Sequence, residues 1–513
     1  MAIEDRPKPD EADQPQPPDY TDYTDPTDPT DPTDPTDPSD STDPTGGDQS
    51  PPRGPIWSAL RPLLLRLHFY AGVLIAPFLL VAAASGLLYS LSFQAEKIVY
   101  AHELEVPVGD QALPLSEQVD AARAAHPEGT VTAVWPAPAE NRSTRVLLST
   151  PDVPEDRSLA VFVNPYDAEI RGELESYGGS GALPLRTWVS ELHRHLHLGE
   201  FGRNYSELAA SWLWVVALGG LALWFARRRA RRRDLVVPAK GQAKGRPRTL
   251  SWHGVVGLWA VLGLVALSAT GLTWSKNTGA NIDELKAQLG GATPVVDATL
   301  AGGASSGGGH EGHGSGSGRE HGHGGHGGAD IGVDRALEIA RGQGVDGQIS
   351  VILPVDGQGY VVKETDAEFP VHLDSVAVDP ADGRVMDEVA FADYPVLAKL
   401  TRFGIDAHMG VFLGLPNQLA LAGLMVATVL LIVWGYRMWW LRRPTKGRAL
   451  SLGRPMPRGA WRRVPVPLLV PLAAATAVIG WFVPLLGISL LAFLVLDTVL
   501  GRAARARATT SSD

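Results

Sequence analysis

Apolar residues gather into long runs that are separated by mixed or polar stretches. A helix needs ~20 apolar residues to cross the hydrocarbon core of a bilayer. The final run is too long for one span, and Pro484 and Gly487 divide it into two. The pattern predicts six membrane-spanning helices, in the runs 67–90, 208–225, 252–274, 418–440 and, as a pair, 464–500.

The first and third runs repeat one pattern at an offset of 185 residues, from His68 to His253. A histidine inside a spanning helix is a functional candidate by default, because an ionisable side chain is costly there. Two histidines at one depth on repeated helices are a sharper candidate.

Four glycines share the helix face of these two histidines. Gly72 and Gly257 lie one turn after the histidine, and Gly86 and Gly271 lie five turns after it, ~27 Å along the helix axis. Missing side chains leave room for a close neighbour. We expect that neighbour to be another helix or a flat cofactor.

Composition excludes several kinds of chemistry. The chain has no cysteine, so it has no disulfide, thiolate metal site or catalytic cysteine. The net charge of −11 arises in residues 1–50, which hold fifteen acidic and two basic residues. The Thr-Asp-Pro repeats there cannot bury a core and predict a disordered tail. No basic face indicates nucleic acid as a partner.

The stretches between the spans contain two small α+β patterns. The first has a helix through Ala125 and then three strand-like runs, at 130–135, 145–149 and 159–163. The segment AVFVNPYDAEIRGE aligns with SVAVDPADGRVMDE at an offset of 215 residues, from Asn164 to Asp379. The same offset carries His193 onto His408.

The predicted fold is an all-α membrane bundle of four core spans from a duplicated half, plus a C-terminal helical hairpin, with two small extracytoplasmic α+β domains. The predicted layout is a tail 1–52, first span 60–93, outer domain 100–182, histidine-rich segment and second span 184–227, basic loop 228–249, third span 250–276, linker 277–332, outer domain 333–400, histidine-bearing segment and fourth span 404–441, loop 442–463, hairpin 464–500 and tail 501–513.

Arginine clusters mark the cytoplasmic side of a membrane protein. All of them fall on one side if the chain has six spans with both termini in the cytoplasm. The chain is therefore predicted to lie in the cytoplasmic membrane, surrounded by membrane lipid, with both α+β domains outside.

Four features together resemble the PepSY-associated transmembrane helix family, also called iron-regulated membrane proteins. They are the LH…G…SGLL start of the first span, the segment ELHRHLHLGEFGR, the segment DAHMGVFLGLP and the paired outer domains. The resemblance covers about residues 60–500 and implies PepSY-like outer domains. Because the family includes haem-bearing ferric-siderophore reductases of the inner membrane, it also implies ferric iron or a ferric siderophore as substrate.

Four histidines form two predicted pairs, according to their depth in the membrane and their place in the internal repeat. His68 and His253 lie at the cytoplasmic ends of their spans, and His193 and His408 lie just outside the extracytoplasmic ends of theirs. Haem iron accepts two neutral imidazoles as axial ligands, which leaves no open position and suits electron transfer. We expect two haem b groups, one at each pair, admitted by the glycines at both depths.

Alternatives stay open at each of these positions. His68 and His253 would also suit a helix–helix hydrogen bond at the edge of the bilayer, and His193 and His408 would suit contacts with lipid headgroups. His197 lies four residues after His193, on the same face of a helix, and is the rival ligand in that segment.

A Gly/Ser/His-rich tract at 301–329 precedes the second outer domain. Imidazoles bind zinc, copper, nickel and iron, but this composition cannot order a fixed site. We expect loose binding of a transition metal by the histidines of the tract, which are His310, His313, His321, His323 and His326.

The chain has no Gly-rich phosphate loop and no pattern typical of a flavin or nicotinamide domain. Electrons must therefore come from another molecule, a quinol or a cytoplasmic reductase. The leading hypothesis is a haem-dependent transmembrane metalloreductase, with no catalytic side chain assigned. The alternatives are a non-catalytic metal-uptake or metal-handling protein, and a PepSY-type regulator of an extracytoplasmic peptidase.

Overall fold

The structure, a computed structural model, describes residues 56–226, 232–239, 241, 244–300, 330–355, 357–442 and 458–510. Its helices are α1 (Ile56–Leu74), α2 (Ala76–Val99), α3 (Ala101–Leu104), α4 (Leu115–Ala125), α5 (Pro184–His195), α6 (Gly199–Phe225), α7 (Arg232–Val236), α8 (Arg246–Thr273), α9 (Lys276–Gln288), α10 (Gly332–Gly342), α11 (Val396–Met409), α12 (Leu415–Trp440), α13 (Val466–Phe482) and α14 (Pro484–Thr510). Its strands are β1 (Thr130–Trp135), β2 (Thr144–Ser149), β3 (Arg157–Val163), β4 (Ile170–Tyr177), β5 (Ile349–Ile352), β6 (Tyr360–Glu364), β7 (Ser375–Val378) and β8 (Val385–Val389).

Four long apolar helices pack into a bundle. α6 packs against α8, α8 against α12, α12 against α2, and α2 against α6. Their inward faces carry small residues, which let helix backbones approach closely in a membrane. Buried examples are Ala83, Ala209, Ser211, Ala260 and Ser268.

Five described helices are long and apolar enough to cross a membrane. They are α2, α6, α8, α12 and the Pro484–Ala503 part of α14. α13 is apolar but has only 17 residues, fewer than the ~20 that a straight span needs. The six-span topology therefore stays a prediction.

The predicted first span is divided into two helices. Pro77 has no N–H, so the carbonyl of Val73 loses its helical partner, and Tyr436 of α12 donates its hydroxyl to that carbonyl at 2.9 Å. Backbone hydrogen bonds continue on both sides through Ile75. α2 then continues to Val99, beyond residue 93, where the first span is predicted to end.

α8 ends at Thr273, whereas its repeat partner α2 continues well past the equivalent position. The hydroxyl of Ser275 accepts a backbone N–H and caps the new helix α9. Glu207 of α6 is 2% exposed, and it accepts the backbone N–H groups of Asn277 and Thr278 at 3.1 and 2.9 Å. A carboxylate is favourable at a helix N-terminus, so Glu207 stabilises this turn.

All eight strands form one antiparallel sheet in the order β4-β3-β2-β1-β5-β6-β7-β8. At its centre Val134 of β1 lies opposite Val351 of β5. One shared core contains residues of α4 and α10 together with strands from both halves, for example Val119 and Leu337. The two outer domains that the sequence predicts as separate units are thus joined, because β1 and β5 would otherwise be edges with unpaired backbone groups.

The C-terminal hairpin divides between Phe482 and Pro484, at the proline that the sequence indicates. α14 packs against α13 and α6, and Trp212 of α6 donates to the hydroxyl of Ser489 at 2.9 Å. Asp497 of α14 forms ion pairs with Arg66 of α1 and with Arg458. These contacts fasten the hairpin to the bundle.

Candidate functional site

Four histidines from four helices meet in two pairs. The far-side pair, His68 of α1 and His253 of α8, has ring centroids 6.4 Å apart and ring planes at 74°. The sheet-side pair, His193 of α5 and His408 of α11, has ring centroids 6.5 Å apart and ring planes at 56°. α5 follows β4 directly, so the second pair lies nearer the sheet. The structure therefore brings together the same histidines that the internal repeat and the predicted depths place in pairs.

Each far-side histidine is fixed through Nδ1 by a helix carbonyl. His68 Nδ1 lies 3.0 Å from the carbonyl oxygen of Val216 in α6, and His253 Nδ1 lies 3.1 Å from that of Leu431 in α12. A carbonyl oxygen only accepts, so each Nδ1 carries the ring proton. Each Nε2 therefore keeps a free lone pair, as a metal-binding imidazole requires.

Glycines on α6 and α12 make room for the far-side rings. A Cβ at Gly220 would lie 2.9 Å from Cε1 of His68, and a Cβ at Gly435 would lie 4.0 Å from Cε1 of His253. Each glycine lies four residues after the carbonyl that binds the ring, on the same helix face. The missing side chain thus leaves that carbonyl open to the histidine.

The sheet-side histidines bind hydroxyl groups instead. His193 Nδ1 lies 2.9 Å from Oγ of Ser85, and His408 Nδ1 lies 2.7 Å from Oγ1 of Thr270. Each hydroxyl also lies 2.8 Å from the carbonyl four residues earlier in its own helix and donates its proton there. Its oxygen is left to accept from Nδ1–H, so Nε2 is again unprotonated.

The four glycines predicted from the sequence have two kinds of surroundings. A Cβ at Gly86 would lie 3.2 Å from Cε1 of His193, and a Cβ at Gly271 would lie 3.3 Å from Cε1 of His408. These two glycines therefore admit the sheet-side rings. Around a Cβ at Gly72 no described atom lies within 4 Å, and at Gly257 the contact is a leucine methyl at 3.7 Å.

A buried ion pair holds α5 against α2. Arg186 Nε lies 2.6 Å from a carboxylate oxygen of Glu96, and the backbone N–H of Leu183 donates to the other oxygen at 3.2 Å. Arg186 also donates to two backbone carbonyls of the preceding turn. Removal of a charge from water is tolerated when such hydrogen bonds satisfy it. Because His193 lies two turns along α5, this anchor positions its ring.

α11 is anchored at its other end. Asp406 is 1% exposed and binds Arg402, one turn earlier, at 2.9 Å. Its backbone carbonyl accepts three following N–H groups, which end the helix just after His408. Asn417 of α12 donates to the carbonyl of Ala407 at 3.0 Å, so the end of α11 is tied to the start of α12.

A cavity of about 240 Å³ opens beside the sheet-side pair. Its lining includes both histidines of that pair and the glycines Gly86 and Gly271. Three basic side chains, Arg194, Arg203 and Lys276, also line it. The cavity is thus apolar around the rings and basic at part of its wall.

His197, the rival ligand in the sequence, shares no helix face with His193. α5 ends two residues before His197, whose φ of 53° is in the left-handed region. Its Nε2 lies 3.1 Å from the carbonyl oxygen of Trp188, and its ring is 5.1 Å from the indole. The i+4 argument fails because the helix stops, and His193 is the histidine that meets His408.

The histidines of the Gly/His-rich tract, His310, His313, His321, His323 and His326, lie outside the described residues. Within the part of the chain that the structure describes, no three His, Cys, Asp or Glu side chains are grouped to hold a metal ion. Metal binding by the tract stays a prediction.

The distance between the two ring centroids of each pair can be compared with the distance that lets both imidazoles bind one iron atom. A metal–imidazole bond is ~2 Å long and the ring centroid lies ~1 Å behind the bonded nitrogen, so two axial imidazoles have centroids ~6 Å apart. The observed 6.4 and 6.5 Å fit this requirement. The Nδ1 atoms of all four rings are hydrogen-bonded, which leaves Nε2 of each ring for a metal.

Sequence reasoning missed the groups that hold the rings. Carbonyl partners leave no signal in a sequence, since every residue has a carbonyl. The hydroxyl groups and the glycines beside the rings did leave a signal in the sequence. Ser85 aligns with Thr270 at the offset of 185, and Gly220 aligns with Gly435 at the offset of 215.

A bundle of apolar helices with two buried histidine pairs, joined to one antiparallel sheet, defines a multi-pass membrane protein. The model of the PepSY-associated TM region matches residues 65–442. The match covers most of the chain, so the protein belongs to this family, as the sequence motifs predict. Comparison with curated proteins gives no match.

Proposed function

We propose that the protein is a two-haem conduit that moves electrons across the cytoplasmic membrane and reduces a metal species outside. The observation that carries the proposal is a geometry that occurs twice. Two histidine pairs, at two levels of one bundle, have ring centroids 6.4 and 6.5 Å apart. All four rings have Nδ1 within hydrogen-bond distance of an oxygen, which leaves Nε2 for a metal.

The chain's own residues would hold and orient the groups. His68 and His253 would supply Nε2 on the far side, and His193 and His408 would supply it on the sheet side. When bound by two imidazoles, such a group would supply one-electron transfer without binding substrate. The basic residues of the sheet-side cavity suit the carboxylates of such a group, and the small apolar residues of the bundle exclude water.

The distribution of arginine supports the direction of transfer. In the sequence, Arg61 and Arg66 lie within α1, ahead of His68, and runs of arginine follow α6 and α12. Because such clusters favour the cytoplasm, the sheet domain would lie outside and the far-side pair would face the donor.

The proposed reaction balances with a quinol or a reduced cytoplasmic reductase as donor. A quinol that gives up two electrons releases two protons and becomes a quinone. The electrons cross one at a time, and two ferric ions outside become two ferrous ions. The resemblance to ferric-siderophore reductases supports ferric iron, free or in a siderophore, as the substrate.

Absorption spectroscopy of the purified full-length protein tests the cofactor. We expect a b-type spectrum that changes on reduction, with two haem groups per chain by pigment extraction and protein quantitation. Colourless protein from haem-replete cells would contradict the proposal.

Proteoliposomes test the reaction itself. With a quinol donor available on the far side, ferrous iron should form outside, as measured with a ferrous-specific chromophore that does not cross the membrane. Vesicles that carry His193→Ala protein are the matched control. Net metal uptake by vesicles that contain haem-free protein would instead favour the metal-handling alternative.

A further inference from the structure

The two halves of the chain place a hydroxyl group at the same point of the sheet-side pair, although they use different residues. Ser85 of α2 meets His193, and Thr270 of α8 meets His408. Each hydroxyl comes one residue before the glycine that admits the same ring. The arrangement is therefore built twice and is not one accidental contact.

Serine and threonine in membrane helices commonly bond the carbonyl four residues earlier, and that alone has no functional meaning. Thr428 of α12 makes such a bond, at 2.8 Å to the carbonyl of Leu424. Ser85 and Thr270 differ because the oxygen that has donated its proton to the helix also faces an imidazole Nδ1.

An acceptor at Nδ1 has two effects on an imidazole. It fixes the proton on Nδ1, which leaves the Nε2 lone pair for a metal, and it makes the ring a more basic ligand. A more basic ligand favours the ferric over the ferrous state of a bound iron, so hydrogen bonds in the outer shell set reduction potentials.

The geometry points to Ser85 and Thr270 as positioning residues of the sheet-side pair. They hold His193 and His408 in the Nδ1–H tautomer, and they lower the reduction potential of the iron that this pair would bind. The tautomer rests on the structure alone, whereas the effect on the potential rests on the proposed function.

The first measurement needs no haem. The full-length protein, with ¹⁵N-labelled histidine and prepared without haem, is examined by NMR in lipid nanodiscs. In the wild type we expect His193 and His408 to be protonated at Nδ1. In Thr270→Val, His408 should become a mixture of tautomers while His193 stays unchanged. In Ser85→Ala the change at His193 should be smaller, because the backbone carbonyl of Ala82 also accepts a hydrogen bond from its ring. A wild-type protein with Nε2 protonated on either ring would overturn the inference.

The second measurement is a redox titration of the haem-loaded protein in the His68→Ala background, where only sheet-side haem is expected to remain. Thr270→Val should keep that haem and raise its potential, with a change of ~10-fold in the ratio of reduced to oxidised haem at fixed potential, which is ~59 mV for one electron. An unchanged potential with normal haem content would overturn the effect on the iron and leave the proposed conduit intact.

Conservative swaps separate positioning from packing. Ser85→Thr and Thr270→Ser keep the hydroxyl and exchange the residues of the two halves, so both should retain the wild-type tautomer and potential. Alanine at position 85 extends the run Ala82–Ala84, which suits the helix. Thr428→Val removes a hydroxyl that bonds its own helix and is the matched control for Thr270→Val.

Discussion

The two histidine pairs have the same spacing but are supported in different ways. His68 and His253 belong to long helices, and their partners are main-chain carbonyls of α6 and α12. His193 and His408 belong to the short helices α5 and α11, and their partners are side-chain hydroxyls of α2 and α8. The first pair is held by the main chain of two bundle helices, whereas the second lies on two short helices that are docked onto the bundle.

This difference shows that the same distance between two rings can be fixed by the main chain or can depend on side chains. A carbonyl partner survives any side-chain substitution, so the far-side pair changes only if the helices move. The sheet-side pair depends on the hydroxyls and on the anchors of α5 and α11. We therefore expect the sheet-side pair to respond to many more substitutions than the far-side pair.

Removal of the rings themselves should have the largest effect. His68→Ala and His253→Ala should each remove the same haem, about half of the total, and His193→Ala and His408→Ala should each remove the other half. The double variant His68→Ala/His253→Ala should lose no more than either single variant, because both ligands serve one iron. Haem quantitation and difference spectra measure this.

Two results would separate the spacing argument from its alternatives. If the single changes at His68 and His253 remove different haems, the pairing is wrong. If His193→Ala keeps all haem and His197→Ala does not, the sheet-side ligand is misassigned. Deletion of residues 308–327 is the control and should leave both haems in place.

The next largest effect is expected when the ion pair that anchors α5 is broken, because only the sheet-side pair depends on it. Glu96→Gln breaks a buried ion pair, and loss of one partner of such a pair costs ~3–5 kcal/mol. Because the pair docks α5, we expect loss of the sheet-side haem with the far-side haem retained, measured by redox titration of each component. Glu155→Gln, at an exposed carboxylate, is the matched control. Equal loss of both haems would argue that the two sites are not independent.

The glycines offer a smaller effect, which differs between the halves. A Cβ at position 220 would lie 2.9 Å from the His68 ring, whereas one at position 435 would lie 4.0 Å from the His253 ring. Gly220→Ala should therefore cost ~1–3 kcal/mol by overpacking and lower far-side haem occupancy, while Gly435→Ala should be near wild type. Haem content and thermal midpoint measure both, and similar losses in the two variants would contradict the asymmetry.

The smallest expected effect concerns the sheet domain, whose strands and helices α4 and α10 carry none of the four paired histidines. His126 lies 2.9 Å from Glu173 and 3.1 Å from Glu128, and the hydrogen bond to Glu173 raises the pKa of His126 above its usual 6.5. The stabilisation is full below pH ~6.5 and is lost as the pH rises through the higher folded-state pKa.

A pH series of thermal midpoints measures this contribution. His126→Asn should lower the midpoint of the sheet domain at pH 5.5 and have little effect at pH 9, with haem content unchanged at both values. A larger effect at the alkaline end would mean that the sign of the linkage is wrong.

The sequence could predict the histidine pairs because each pair consists of two equivalent residues of the internal repeat. His68 aligns with His253 and His193 with His408, and in each case the aligned residues are the ones that meet. The repeat offset therefore predicts which residues are close in space. Equivalent residues of two halves that pack face to face lie near each other.

The sequence could not predict features that depend on the tertiary structure. The division of the first span at Ile75 follows from Pro77, but the hydroxyl of Tyr436 that completes it comes from another helix. The end of α5 after His195 was hidden because ELHRHLHLG has no proline or glycine before Gly199, and this misled the helical argument for His197. The joining of the outer domains left no signal, since an edge strand and a central strand have similar patterns.

The join between β1 and β5 bears on how such a chain arises and assembles. Val134 and Val351 are 217 residues apart, the same offset that separates the starts of α4 and α10, Leu115 and Gly332, and these two valines face each other. Equivalent residues that meet across a local two-fold axis are the mark of an isologous dimer interface. The two halves of the sheet thus meet as the two subunits of such a dimer would. Two halves expressed separately, cut between α6 and α8, should reassemble through the sheet and the bundle without a peptide bond between them.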